Sequence, residues 1–122
     1  MAITQLKHCN EIPSQALDDW GPVPEPVSDQ ISHLSGLVIS ENKDGSEAGL
    51  WECTPGIWTR LVMDAEISTF LKGEAIFHPE QGEPVHISAG DTLYFDANSK
   101  GSWEVIKTVR KAYLTYKNDD TN

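Results

Sequence analysis

Arg60 and Glu66 are the residues of this 122-residue chain whose types and spacing most plainly allow chemistry. A guanidinium is planar, permanently charged and fork-shaped, so it can grip a carboxylate or a ureido group through two parallel hydrogen bonds. If strand alternation turns Arg60 inward, it meets Glu66 as a buried pair. Such a pair is costly unless fully hydrogen-bonded, so its presence would mark an anchor for an anionic or ureido-type ligand. If alternation is offset by one residue, Arg60 faces water and no such anchor forms. Trp58 shares the alternation of Arg60 and either adds a flat aromatic wall or fills the core. Tyr94 offers a hydroxyl, while its neighbour Phe95 packs. Arg60, Glu66, Trp58 and Tyr94 form the candidate ligand-binding set, and no catalytic residue is assigned.

Other reactive side chains are placed less specifically. His78 and His86 flank the loop 79–84 and titrate near neutrality if they meet across it, or they are plain surface histidines. Glu104 could complete a carboxylate pair with Glu66, although it neighbours Trp103 and an adjacent strand residue points the other way. Cys53 has no His or Lys beside it in sequence to lower its pKa and reads as an inert buried thiol. Trp51 and Trp103 read as core, and Asp91, after Gly90, as a turn cap. Ser-His-Asp spacing, a phosphate loop and Gly-x-Gly-x-x-Gly are all missing, which sets nucleotide chemistry aside.

The elements that must position these residues are short. From Leu34 onward, apolar runs alternate with turn residues, predicting strands over 36–40, 50–54, 58–63, 67–71, 74–78, 85–88, 92–95, 103–109 and 112–116. No helical run is long enough to form a layer. About nine strands at such spacing predict a sandwich or double-stranded barrel. Residues 1–33 carry four of the seven prolines and read as an extended N-terminal arm, anchored by Trp20 along the outside of a sheet. The barrel is expected over 34–117, and a polar, fraying tail over 118–122.

Bulk properties narrow the partners. The chain suffices for one domain with a core of its own. Its net charge of -10 disfavours nucleic acid and anionic membranes as partners, and no segment has the run of apolar residues a membrane helix needs. Two unrelated cysteines and no signal-peptide pattern predict a reduced, cytoplasmic setting.

Leu17-Asp18-Asp19-Trp20-Gly21-Pro22-Val23-Pro24, Gly49-Leu50-Trp51-Glu52-Cys53-Thr54-Pro55-Gly56, Gly101-Ser102-Trp103-Glu104-Val105 and Thr108-Val109-Arg110-Lys111 fall in the order seen in one known group. The chain resembles single-domain cupins related to ureidoglycine aminohydrolase. That resemblance implies an all-β jelly-roll barrel, a small-molecule pocket inside it, and a homodimer. It also implies a metal site, in which His-x-His precedes a Glu in the first motif. Glu66 and Gly73 match that motif, but Arg60 and Val62, or Thr59 and Leu61, stand where the histidines would be. In the second motif Gly101 holds the histidine position, Asp96 that of a Pro and Asn98 that of a Gly. Thr69 stands where related metal-dependent members carry His or Tyr. An Arg60–Glu66 salt bridge would then replace the metal, with Glu66 alone left to hold a divalent ion, and no cofactor is expected. Three readings follow: a small-polar-molecule-binding domain without metal, a metal-dependent enzyme like ureidoglycine aminohydrolase, and a structural cupin with a packed interior. What fills the barrel separates them.

Overall fold

The computed structural model describes residues 2–117; the expected tail at 118–122 lies outside the described residues. A 3-10 turn at Ser14–Ala16 leads into eight strands: β1 (Asp18–Pro22), β2 (His33–Glu41), β3 (Glu47–Cys53), β4 (Gly56–Val62), β5 (Ala65–Pro79), β6 (Val85–Ser88), β7 (Thr92–Phe95) and β8 (Ser99–Tyr116). All named pairings are antiparallel, in the order β1-β2-β3-β8-β5-β6, with β4 also on β8 and β7 also on β5. The fold is an all-β jelly roll, as expected from the sequence pattern.

Eight strands replace the nine expected because two pairs of short runs are continuous and the arm contributes one strand, β1, that was not among the nine. Runs 67–71 and 74–78 join into β5, and runs 103–109 and 112–116 into β8. The N-terminal part of β5 pairs with the C-terminal part of β8 and the reverse, so both strands pass from one sheet of the roll to the other. The register shifts three times between Phe70 and Ala75, where the pair bends. Gly73 sits in this bend with φ +94, and a Cβ there would overlap the carbonyl of Thr108. Lys72-Gly73, read from sequence as a strand end, is instead a kink within a strand.

The segment before β2 spans both sheets. β1 pairs with β2, and residues beyond it reach the edge of β4, where Val27 N–H donates to Ile57 O and Thr59 N–H to Glu25 O. Further upstream, the Cys9 carbonyl accepts a 2.9 Å hydrogen bond from Arg110 Nη1. Among the described residues, no helix is long and apolar enough to cross a membrane.

The core lies between the sheets around Trp103, which is fully buried and has ring contacts with Trp51, Phe70, Phe77 and Phe95 at centroid distances of 5.1 to 6.1 Å. Aromatic rings meeting edge-to-face or tilted at such distances add to their area burial. Replacing Gly73 by Ala should cost at least about 2 kcal/mol, from the left-handed backbone and the overlap, and lower the melting temperature by roughly 8 °C. Thermal unfolding of Gly73→Ala checks this; an unchanged melting temperature would show that the bend does not depend on glycine.

Candidate functional site

Strand register brings the site together. Trp58 stands opposite Trp103 and Arg60 opposite Gly101, so both point into the roll. Glu66 stands opposite Phe95, and Trp51 opposite Lys111, on the same interior. Arg60 therefore faces inward, and its Nη2 donates to Glu66 Oε1 at 2.7 Å. The other carboxylate oxygen, Oε2, lies 2.6 Å from Lys111 Nζ. Glu66 thus carries a cation on each oxygen, and both it and Lys111 have side chains only 2% exposed.

Lys111 Nζ and Glu66 Oε2 are thus buried against each other as a direct charge pair, whereas Arg60 Nη1 is buried without a hydrogen-bond partner. Ring faces surround the ammonium: Nζ is 4.3 Å from the centroid of Trp51, 5.5 Å from Trp103, 5.8 Å from Phe70 and 6.0 Å from Phe95. The Arg60 guanidinium carbon is 5.4 Å from the Phe95 centroid. Desolvated cations over aromatic faces gain about 2 kcal/mol or more.

Burial and charge act in opposite directions on these groups. Burial pushes the Glu66 carboxyl up, but Lys111 and Arg60 outweigh it and hold the group below its ordinary value. Burial pushes Lys111 down to about 8, with the Arg60 charge adding to the shift and Glu66 opposing it. Burial also raises the Cys53 thiol to about 11 and leaves it inert near neutrality.

A cleft of about 160 Å³ opens onto this cluster, lined by Trp20, Glu47, Trp51, Arg60, Glu66, Lys111, Tyr113 and Thr115. At its rim the Tyr113 hydroxyl donates to Glu47 Oε2 at 2.6 Å. Trp20 lies over Gly36, where a Cβ would overlap the indole, and faces this cleft rather than the outside of a sheet. A wider groove of about 630 Å³, between Pro79–Gln81 and 92–100, carries none of these buried charges. The small cleft is where chemistry is concentrated.

The other expected residues fall elsewhere. Trp58 is buried in the core, 6.5 Å from Trp51 between ring centroids, and does not line the cleft. Tyr94 pairs with Ile67 on the outward face of β7, half-exposed, 3.4 Å from the Tyr116 hydroxyl and apart from Arg60 and Glu66. His78 Nε2 lies 2.9 Å from Glu104 Oε1, so Glu104 is turned away from Glu66. Lys111 is the residue that sequence reading missed. Its signal was Arg110-Lys111 within a strand, where alternation must send one of two adjacent cations inward.

The cupin fold implies a metal in such a barrel, but these donors do not fit one. The one carboxylate at the centre has both oxygens against cations, and among the described residues no three His, Cys, Asp or Glu side chains converge.

Comparison with known proteins adds the family. The family model for the EutQ-like cupin domain matches residues 40–113. The chain belongs to the EutQ-like cupin family. No curated protein matches the chain at significance. Among solved structures, this EutQ-like cupin is similar to a Salmonella typhimurium LT2 protein described as ethanolamine utilization protein Q. The TM-score is 0.59 at 24% identity, over 71% of this chain and 70% of that one. It is similar to the Clostridium difficile EutQ protein with TM-score 0.63 and 17% identity over 78% of each chain. A DUF861-family protein of Pseudomonas syringae pv. tomato matches at TM-score 0.73 and 20% identity, over 81% of this chain and 43% of the larger protein. Identities this low carry the fold alone.

Lys111 also gives the EutQ-like site a pH signature. Between about 8 and 10.5 the folded state binds fewer protons at Lys111 than the unfolded chain, so this group makes stability rise with pH through that window. Loss of the ammonium from the Trp51 face should change tryptophan emission with a midpoint near pH 8. Fluorescence titration of the wild type should show this transition, and Lys111→Met should lack it. The same transition in the variant would assign it to another group.

Proposed function

We propose that this EutQ-like cupin binds a small polar molecule, anionic or ureido in character, without a metal ion, in the cleft over Arg60, Glu66 and Lys111. The observation that carries the reading is Arg60 Nη1, a buried cationic donor with no hydrogen-bond partner, on a residue that lines the cleft together with Lys111. Buried donors left unpaired cost free energy, and an incoming oxygen acceptor removes that cost. Holding three charges in an aromatic interior also opposes folding, by several kcal/mol for each ion before their mutual attraction is counted. A ureidoglycine aminohydrolase-like reaction through a metal is not proposed, since the donors at the centre are cations.

Thermal-shift screening of small carboxylates and ureides should yield a ligand that stabilises the protein by about 2.7 kcal/mol at a hundredfold excess over its Kd. Arg60→Gln should weaken that ligand at least tenfold. Metal analysis of protein purified without chelator should find no stoichiometric ion. Undiminished binding by Arg60→Gln would remove the proposed anchor, and a stoichiometric metal would return the site to metal chemistry.

A further inference from the structure

We propose that Lys111 is a nucleophilic amine that forms an imine with short 2-oxo acids, the substrate carboxylate resting on Arg60. This rests on the cleft being a small-molecule site and goes further by naming the ligand class and a covalent step. The geometry supplies each part. Lys111 is one of the residues that line the cleft, with its Nζ buried among the aromatic rings. Glu66 Oε2, 2.6 Å away, is in reach to take a proton from the ammonium and return it. Arg60 Nη1 is a buried donor without a partner in the same cleft, placed to hold a carboxylate attached to the reacting carbonyl.

The step balances. Glu66 removes one proton from the ammonium, and the amine forms a bond to the carbonyl carbon, whose oxygen is protonated to give a carbinolamine. Loss of that oxygen as water gives the iminium. Ammonium plus carbonyl compound yields iminium plus one water, with no change of charge and no redox partner. The charge stays on the same nitrogen, which lies 4.3 to 6.0 Å from the ring centroids of Trp51, Trp103, Phe70 and Phe95.

A lysine desolvated beside another cation is a recognised way to make an amine nucleophilic near neutral pH, and burial here does depress Lys111. The cleft of about 160 Å³ holds roughly five waters' worth of volume, which limits the substrate to a short chain.

The test incubates the full chain with pyruvate, or with acetaldehyde as the uncharged comparison, in the presence of cyanoborohydride, and maps the reduced adducts by peptide mass spectrometry. Lys111 should be labelled by pyruvate at least tenfold faster than the exposed Lys43 and Lys107. Arg60→Gln should slow labelling by pyruvate at least tenfold more than labelling by acetaldehyde, since both probes lose the neighbouring charge but only pyruvate loses a carboxylate anchor. Mapping is done on the wild type, so it does not depend on whether Lys111→Met folds. Labelling confined to surface lysines overturns the proposal, as does an equal effect of Arg60→Gln on both probes. If pyruvate raises the melting temperature and Lys111 stays unlabelled, imine formation is refuted while the binding reading stands. If neither occurs, imine formation is refuted and the cleft loses 2-oxo acids as ligands.

Discussion

A lysine ammonium held inside a cage of aromatic rings, tied to Glu66 and through it to Arg60, is the constraint on which the rest of the barrel turns. In a low-dielectric interior, ions survive only when their partners are fixed and close. Each partner here is fixed by strand register. Trp51 and Lys111 face each other across β3 and β8, Phe70 faces Lys111 across β5 and β8, and Glu66 faces Phe95 across β5 and β7. A slip of one residue in any of these pairs would move a charge to the outer face and an outer residue into the cage.

The outer face repeats the logic one residue away. Glu52 and Arg110 are the sequence neighbours of Trp51 and Lys111, and they meet on the other side of the same two strands at 2.6 and 2.9 Å, fully buried. Arg110 also holds the Cys9 carbonyl, so the N-terminal segment covers that pair and supplies a hydrogen bond to it. Register between β3 and β8 is thus fixed by an ion pair on one face and by a caged ammonium on the other. A barrel that lacks metal ligands can in this way still place a cation at its centre, carried on its own chain.

Much of this was readable from the residues. The short apolar runs and the turns at Pro55-Gly56 and Gly90-Asp91 led to an all-β jelly roll. Asp91 does cap its turn, accepting from Ser88 N–H at 2.9 Å. The orientation of Arg60 was not readable, because period-two alternation has two phases and a single strand does not choose between them. Lys111 escaped notice because its environment comes from strands distant in sequence: Trp51, Glu66 and Phe95 converge on it only after β3, β5 and β7 are laid beside each other and β8. Tyr94 and Trp58, grouped with Arg60 and Glu66 from the sequence, lie outside the small cleft for related reasons. One lies a single residue from the inward phase of β7, and the other is inward but beneath the cleft.

The central claim is that the Lys111 ammonium takes the place of a metal as the counter-charge of Glu66. A double-mutant cycle by urea denaturation tests it most directly, using Glu66→Gln, Lys111→Met and the combined variant. Glu66→Gln alone strands two buried cations and should cost about 3 to 5 kcal/mol. Lys111→Met should cost at least about 1 kcal/mol less in the Glu66→Gln background than in the wild type, within the range of coupling seen for residues in direct contact. Additive losses in the combined variant would mean that the two residues do not depend on each other, and would contradict this account.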